Sequence, residues 1–317
     1  MFQNVQILRG IAAAMVVLFH AVPWLPFDPA APPLVQRVFH LWGKNGVDLF
    51  FVISGFVIMY SQSRAQRPVG AFLRDRALRI LPLYWLLTAA FAALLLALPN
   101  SFAGQPPVTV GRALLSFGMV NWLILREWPI LFVGWSLEYE ALFYLLFALA
   151  SLTVPLRRVP WLLAGALAVT VWLGWLEDMV LEFAAGMLIA RLRIARDHLP
   201  GAGAIFALGV VGFVLPVLGT PVAPRALYLG IPSGMIVLGA VFLPQVKSRF
   251  GEYLGAASYS IYLGQVFALP AAYRLVQGLL PEAGYDLSPV YYTNKVQRTL
   301  VLTKDDLAET EKMGASK

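Results

Sequence analysis

The sequence contains no cysteine and few charged residues, and both absences narrow the range of functions. None of the 317 residues is cysteine, which excludes disulfides, iron–sulfur clusters and thiol catalysis. Only 13% of the residues are charged, against about a quarter in soluble globular proteins. With 59% hydrophobic residues and a mean hydropathy of +0.72, a soluble chain would expose too much apolar surface. The composition therefore predicts a polytopic membrane protein in a lipid bilayer.

Apolar segments near the length that crosses about 30 Å of hydrocarbon recur along the chain. They predict an all-α transmembrane bundle of about nine spanning helices. We place these helices at roughly 5–22, 46–61, 80–98, 134–153, 161–176, 179–191, 203–219, 227–244 and 254–273. Between the third and the fourth, the apolar stretch Ala113–Leu125 is too short to span, and we expect one re-entrant or interfacial helix there.

The end of the chain differs in composition from the rest. We assign residues 1–280 to the transmembrane domain and residues 281–317 to a polar tail that we expect to be mobile. The first apolar segment lacks a basic flank and a small-residue cleavage site, so we expect it to stay as a helix rather than to be removed as a signal peptide.

The basic residues predict an orientation. If the amino terminus is cytoplasmic, most basic residues of the connections fall on the cytoplasmic side: Arg64, Arg67, Arg74, Arg76, Arg79, Arg157, Arg158, Arg191, Arg193, Arg196, Lys247 and Arg249. This bias follows the positive-inside rule. We therefore attribute the net charge of +7 to orientation in a membrane and not to nucleic-acid binding.

Two ionisable side chains, Arg9 and His20, interrupt the first apolar segment. Eleven residues apart, they lie within about 20° of one helix face and about 16 Å apart along its axis. Such groups in membrane helices usually face the bundle interior or a wet cavity. A neutral imidazole can act as a general base toward a hydroxyl, and the alternative is an interfacial histidine bonded to a carbonyl. Asp48, at a similar depth, is expected either to orient His20 or only to favour its helix dipole.

Two carboxylates lie near the start of the fourth apolar segment. Glu138 and Glu140 are about 200° apart on a helix, so we expect one to point inward and the other to the outer surface. Glu140 aligns with Ser136 and Tyr144 in a polar stripe. We favour Glu140 as the inward carboxylate, with an arginine or histidine of the first three helices as its partner.

Three arginines precede the third apolar segment. Arg76 and Arg79 share a helix face, Arg74 is close by, and Tyr84 follows in a Pro-Leu-Tyr-Trp run. The planar fork of arginine suits phosphate oxygens, so these residues form a candidate site for a phosphorylated cytoplasmic donor. The positive-inside rule alone would also place arginines here.

Three residues on the opposite side are candidates for binding an acceptor. Asn121, Trp135 and Ser136 offer hydrogen bonding and stacking for a sugar. Tryptophan is also common at membrane interfaces without any role in binding, and that alternative stays open.

Five motifs occur in order between residues 4 and 275: Leu8-Arg-Gly-Ile-Ala with Phe19-His20, Gly46-Val-Asp-Leu-Phe-Phe-Val-Ile-Ser-Gly-Phe, Arg76-x-x-Arg79 with Leu-Pro-Leu-Tyr-Trp, Trp135-Ser-Leu-x-x-Glu140-x-x-Phe-Tyr, and Ser258-Tyr-Ser-Ile-Tyr-Leu. Together they resemble the acyltransferase-3 family of integral membrane acyltransferases. The segments beginning at Leu181 and Gly230 look closest to its exopolysaccharide-production O-acetyltransferase branch.

The resemblance implies transfer of an acyl group, commonly acetyl from cytoplasmic acetyl-CoA, to a carbohydrate hydroxyl outside the bacterial inner membrane. By position, His20 matches the essential histidine and Arg9 its helix-mate, Arg76 and Arg79 the donor-side pair, and Glu140 the carboxylate. Acyl-CoA would be a co-substrate, with no bound cofactor or metal. The polysaccharide-synthesis machinery would be a partner.

The chain departs from the family in two places. Gln265 stands where members usually carry a histidine, and the polar sequence after about Tyr285 stands where they have a further helix. An inactive member with a role in assembly is therefore one alternative. A transporter or flippase for a glycan precursor, with Arg9, Glu140 and His20 as its pathway, is another. The crowding of intramembrane charges into the first four helices and the lack of inverted repeats favour the enzyme.

Overall fold

The computed structural model describes residues 2–21, 42–98, 105–215 and 224–279, with the side chains of 276–279 excepted. The regular elements of these residues are all helical. The helices are α1 (Gln3–Ala21), α2 (Gly46–Ala65), α3 (Val69–Ala97), α4 (Val110–Phe117), α5 (Asn121–Leu125), α6 (Trp135–Thr153), α7 (Val159–Trp172), α8 (Leu181–Ala195), α9 (Ala202–Val214), α10 (Ile231–Phe242) and α11 (Arg249–Leu279). Short 3₁₀ turns at Phe132–Gly134 and Asp178–Val180 precede α6 and α8, and a π-helical turn at Ala226–Gly230 precedes α10.

Within the described residues, four helical segments are long and apolar enough to cross a membrane, which confirms the predicted class. They are α1, α2, α3 and Phe132–Thr153, which joins a 3₁₀ turn to α6. Three shorter apolar segments follow at Val159–Trp172, Ala202–Val214 and Ala226–Phe242. Each of the nine predicted segments overlaps a helix, but a crossing by all nine stays a prediction.

The segment predicted to form one re-entrant or interfacial helix forms two short helices, and their re-entrant or interfacial position stays a prediction. The break between α4 and α5 falls at Met119, whose backbone is left-handed with φ of 56°. Side chains of α3 hold the end of α4: Tyr84 Oη donates to the Ser116 carbonyl at 2.8 Å, and Trp85 Nε1 donates to the Phe117 carbonyl at 2.9 Å.

Glycines allow α2 and α8 to pack with their backbones in close approach. A Cβ atom at Gly55 would lie 2.1 Å from the Phe183 carbonyl oxygen, and one at Gly186 would lie 2.0 Å from the Val52 carbonyl oxygen. Small residues are the usual means by which membrane helices approach this closely. Gly55 therefore serves helix packing, whereas the adjacent Ser54 faces an internal cavity.

A similar close approach joins α1 to α11, the two ends of the described chain. A Cβ atom at Gly10 would lie 2.8 Å from Leu254 Cβ, and one at Gly255 would lie 2.3 Å from the Gln6 carbonyl oxygen. This packing brings residues of α11 beside Arg9 and His20. The predicted polar tail, 281–317, lies outside the described residues.

Candidate active site

A central cavity lies between α1, α2, α3, α6 and α11. It encloses about 780 Å³, part of which is open to the surroundings. Its polar lining consists of three arginines, one carboxylate and six hydroxyl groups: Arg9, Arg76, Arg79, Glu140, Ser54, Ser136, Ser258, Tyr144, Tyr259 and Tyr262. The remaining wall is apolar and comes mostly from α2. Four of the side chains selected from the sequence as donor-binding or catalytic thus face one space: Arg9, Arg76, Arg79 and Glu140.

Glu140 is held by hydroxyl groups and not by an ion pair. Ser54 Oγ donates to Glu140 Oε1 at 2.8 Å, and Tyr144 Oη donates to the same oxygen. The polar stripe predicted on α6 is present, since Ser136, Glu140 and Tyr144 all line the cavity. The expected arginine or histidine partner is replaced at close range by these hydroxyls, although Glu140 still attracts Arg9 electrostatically.

The three cavity arginines have no described carboxylate within 4 Å. Arg9 Nη1 donates to Gln6 Oε1 at 3.3 Å. The Arg76 guanidinium lies over the rings of Phe72 and Tyr144, 5.6 Å and 5.9 Å from their centroids, and its buried Nε has no hydrogen-bond partner among the described residues. Three guanidinium groups against one carboxylate give the cavity an excess of positive charge, which suits an anionic ligand.

Two residues assigned to the donor site from sequence lie elsewhere. Arg74 is 73% exposed and 3.5 Å from the Asp75 carboxylate, because it is about 200° from Arg76 on the helix. Tyr84 is fully buried against Gly134 and donates to the Ser116 carbonyl. Neither side chain lines the central cavity.

A second pocket of about 1210 Å³, part of which is open to the surroundings, adjoins the central cavity. We call it the basic-end pocket, because Arg64 and Arg193 are among its lining residues. The full lining is Phe2, Val5, Gln6, Arg9, Phe56, Val57, Tyr60, Ser61, Arg64, Arg193 and Gln245. Since Arg9 and Val57 line both spaces, the two pockets adjoin along α1 and α2.

The hydrogen bonds of His20 define the tautomer of its ring. His20 Nδ1 lies 2.9 Å from the Val16 carbonyl oxygen and 3.1 Å from Gln265 Oε1. Both partners are acceptors, so Nδ1 carries the proton of the neutral ring and Nε2 keeps a free lone pair. His20 Nε2 is buried and has no described hydrogen-bond partner. In this tautomer, Nε2 of the neutral imidazole can accept a proton as a base.

Gln265 connects His20 to the central cavity. Its Nε2 donates to the Tyr262 carbonyl at 2.8 Å, which turns its Oε1 toward His20. The Tyr262 side chain lines the cavity, where its hydroxyl lies 2.6 Å from Ser136 Oγ and donates to the Val133 carbonyl. His20 does not line the cavity itself, and its partner Gln265 lies three residues beyond the lining residue Tyr262, about 4.5 Å along the axis of α11.

Asp48 does not contact His20 within the described structure. It is fully buried, and its two oxygens accept hydrogen bonds from Arg225 Nε and Nη2 at 2.8 Å and 2.7 Å. This bidentate ion pair occupies the carboxylate, so Gln265 and not Asp48 orients the imidazole. Burial and the neighbouring Arg225 lower the pKa of Lys44, although Asp48 opposes the shift. Sequence reasoning missed Arg225, because 177 residues separate it from Asp48.

Glu138 is buried and does not face the outer surface as predicted. It accepts hydrogen bonds from the backbone N–H groups of Trp122 and Leu123 at 2.8 Å and 3.1 Å. These are free amides in the first turn of α5, so Glu138 caps that helix. Its role in the described structure is to fix α5 on α6.

Among the proposed acceptor-side residues, only Ser136 lines the central cavity. Asn121 is buried and donates to the carbonyls of Glu127 and Trp128 at 3.0 Å and 3.2 Å. Trp135 packs in an aromatic cluster with Trp122 and Trp128. Both residues stabilise the α4–α5 region in this structure, and contact with a sugar stays a prediction.

Comparison with known proteins gives a family match over most of the chain. Residues 2–294 match the family described as an acyltransferase domain. The exopolysaccharide production protein ExoZ of Rhizobium meliloti (strain 1021) is 38% identical over 254 residues, which are 72% of this chain and 77% of that protein. The acyltransferase MdmB of Streptomyces mycarofaciens is 28% identical over 214 residues, 63% of this chain and 52% of MdmB. No solved structure matches the chain.

Proposed function

The chain belongs to the acyltransferase-3 family and is a membrane acyltransferase, and we propose that it moves an acyl group from cytoplasmic acyl-CoA to a carbohydrate hydroxyl across the membrane. Acetyl is the acyl group that we propose first. The name of the relative ExoZ supports an exopolysaccharide, or its lipid-linked precursor, as the acceptor. We place the protein in a bacterial inner membrane with its amino terminus in the cytoplasm.

The observation that carries this proposal is the uncompensated charge of the central cavity. Arg9, Arg76 and Arg79 face a space enclosed by helices that are apolar enough to span a membrane. Cations at such depth are costly and mark pathways for charged substrates. The phosphate groups of acyl-CoA would supply the missing negative charge through charge-assisted hydrogen bonds.

The arrangement of α1 and α11 supports His20 as the general base. His20 Nε2 would accept the proton of the carbohydrate hydroxyl, while the oxygen of that hydroxyl attacks the thioester carbon. The bond between carbon and sulfur then breaks, and the imidazolium returns its proton to the CoA thiolate. Gln265 keeps Nδ1 protonated and Nε2 free for this exchange. General base catalysis of this kind contributes about 10²- to 10⁴-fold in rate.

The distance between the two ends of α1 sets a requirement on the donor. Arg9 and His20 differ by about 16 Å in depth, and the cavity extends from Arg9 to Tyr262, one turn short of Gln265. A donor bound by its phosphates near Arg9 must therefore extend a long, narrow arm along the cavity. The pantetheine arm of CoA has this shape, which supports a CoA thioester over a compact acyl phosphate.

An assay of purified protein in liposomes tests the proposed function. Because the chain lacks cysteine, a thiol reagent reports released CoA without a background from the protein. We expect acetyl-CoA cleavage that depends on added polysaccharide, with radiolabelled acetyl recovered on the polysaccharide. Transport of a lipid-linked glycan with the thioester left intact would favour a flippase, and no reaction in the presence of bound donor would favour an inactive member.

A further inference from the structure

The basic-end pocket contains an aromatic platform that the proposed reaction does not use. Phe2 meets Tyr60 edge to face, with centroids 5.0 Å apart, and Tyr60 stacks on Phe56 at 5.6 Å with an interplanar angle of 17°. The three rings come from the start of α1 and from α2. All three line the pocket, so the platform faces a space of ligand size.

Two arginines flank this platform. The Arg193 guanidinium lies 5.5 Å from the centroid of Phe2, and the Arg64 guanidinium lies 5.6 Å from that of Tyr60. Arg64 Nη2 donates to Tyr60 Oη at 3.3 Å. Arg193 Nε and Nη1 donate to the carbonyls of Val241 and Arg196, and its ion pair with the fully exposed Asp197 is screened by solvent. Both guanidinium groups lie over ring faces, so the pocket offers guanidinium planes over aromatic rings for a base and the remaining guanidinium N–H groups for phosphate.

The pocket is joined to the central cavity at Arg9 and Val57. A molecule that occupies both spaces must have a planar aromatic group and negative charge at one end and a narrow chain at the other. Aromatic stacking and arginine contacts are the usual means of binding a nucleobase and its phosphates.

We propose that the basic-end pocket binds the 3′-phosphoadenosine end of acyl-CoA. Adenine stacks on the platform at Tyr60, Arg64 and Arg193 bind the 3′-phosphate, and the diphosphate lies at Arg9. The pantetheine arm then runs through the central cavity toward His20. This inference rests on the proposed function, because it assumes a CoA thioester as donor.

Donors that lack parts of the nucleotide provide the test. Reconstituted wild-type protein, Arg64→Gln and Arg193→Gln are assayed with acetyl-CoA, acetyl-dephospho-CoA and S-acetylpantetheine. We expect each variant to raise KM for acetyl-CoA about tenfold with kcat unchanged, because a charged hydrogen bond is lost. We expect KM for S-acetylpantetheine to be unchanged in both variants. Arg157→Gln, in an exposed connection, is the matched control and should leave all three donors unaffected.

Direct calorimetric binding of CoA separates failure of this inference from failure of the proposed function. If CoA binds the wild type about tenfold more tightly than the two variants but no donor is turned over, the nucleotide site stands and the reaction is wrong. If transfer occurs but the wild type uses S-acetylpantetheine as efficiently as acetyl-CoA, the nucleotide site is wrong. Equal losses with all donors in both variants would show a structural role for the arginines and would also overturn the site.

Discussion

The bundle contains two groups of charged side chains that differ in how their charges are neutralised. In the central cavity, the guanidinium groups of Arg9, Arg76 and Arg79 face open space and lack a described carboxylate within 4 Å. At the other group, Asp48 and Arg225 satisfy each other in a bidentate ion pair. Arginine side chains are thus available to a ligand in the central cavity, whereas Arg225 is already paired with Asp48 and stabilises the fold.

The comparison separates residues that act on a substrate from those that hold helices together. Removing one partner of a buried ion pair leaves the other charge uncompensated, which costs about 3–5 kcal/mol. Removing a cavity guanidinium relieves repulsion from its neighbours and breaks no ion pair with a described carboxylate, and its contact with an anionic ligand is lost only when that ligand is bound. Substitutions in the two groups should therefore affect different measurements.

The largest effect is expected at His20, which is joined to the cavity through Gln265. His20→Ala should lower the acyl transfer rate by about 10²- to 10⁴-fold, since it removes the general base. CoA affinity should stay the same, because His20 does not line the cavity. Thiol release and calorimetry measure the two quantities. His198→Ala, in an exposed connection, is the control, and an unchanged rate in His20→Ala would exclude the proposed base.

Breaking the ion pair should affect stability first. Asp48→Asn is expected to lower the free energy of unfolding by about 1.5–3 kcal/mol, because it removes a charged hydrogen bond from Arg225, whose side chain is 18% exposed and stays close to the Glu182 carboxyl. A thermal unfolding series in detergent, with Arg225→Gln and the double variant, measures the coupling between the two residues. If Asp48→Asn unfolds like the wild type yet loses transfer, Asp48 belongs with the catalytic residues after all.

In the central cavity, substituting Arg9 should weaken ligand binding and leave stability unchanged or higher. Arg9→Gln should weaken CoA binding about tenfold or more, since it removes a charged contact to phosphate, while the unfolding temperature stays the same or rises. Relief of the repulsion from Arg79 and Arg76 is the reason for a rise. Arg74→Gln, exposed and paired with Asp75, is the matched control. A large loss of stability in Arg9→Gln would show that Arg9 is structural.

The smallest expected effect is the change in CoA affinity caused by substituting Glu140. Glu140→Gln removes the one negative charge among the described residues that line the cavity and should tighten CoA binding a few-fold, because one repulsion is lost. Glu138→Gln should leave CoA binding unchanged and lower stability instead, since Glu138 caps α5. Calorimetry measures CoA affinity and thermal unfolding measures stability for both variants. Weaker CoA binding in Glu140→Gln would mean that the carboxylate positions the arginines.

Local sequence patterns predicted which side chains of one helix share a face, because helix periodicity decides this. Arg76 with Arg79, and Ser136 with Glu140, are three or four residues apart and line one cavity. That these residues bind the donor or take part in catalysis stays a prediction.

The contacts that the sequence did not predict join distant parts of the chain. Asp48 is paired by a residue 177 positions away, and Glu138 is buried because α5 folds back onto α6. Tyr84 lies in a helix whose periodicity is correct, but its partner is a carbonyl of α4. Gln265 was read as a departure from the family pattern, and only the fold brings it to His20. Composition and spacing carry no information on such pairs.

The direction of transfer across the membrane tests the central claim most directly. Protein in uniformly oriented liposomes is given labelled acetyl-CoA on one side and polysaccharide on the other. A single cysteine at Ala65→Cys, an exposed position beside the basic-end pocket, is labelled with an impermeant reagent and reports which side holds the pocket, since the natural chain has no cysteine. The account predicts labelled polysaccharide only when acetyl-CoA is on the side of position 65 and the acceptor is on the opposite side. Transfer that requires both substrates on the same side would contradict it.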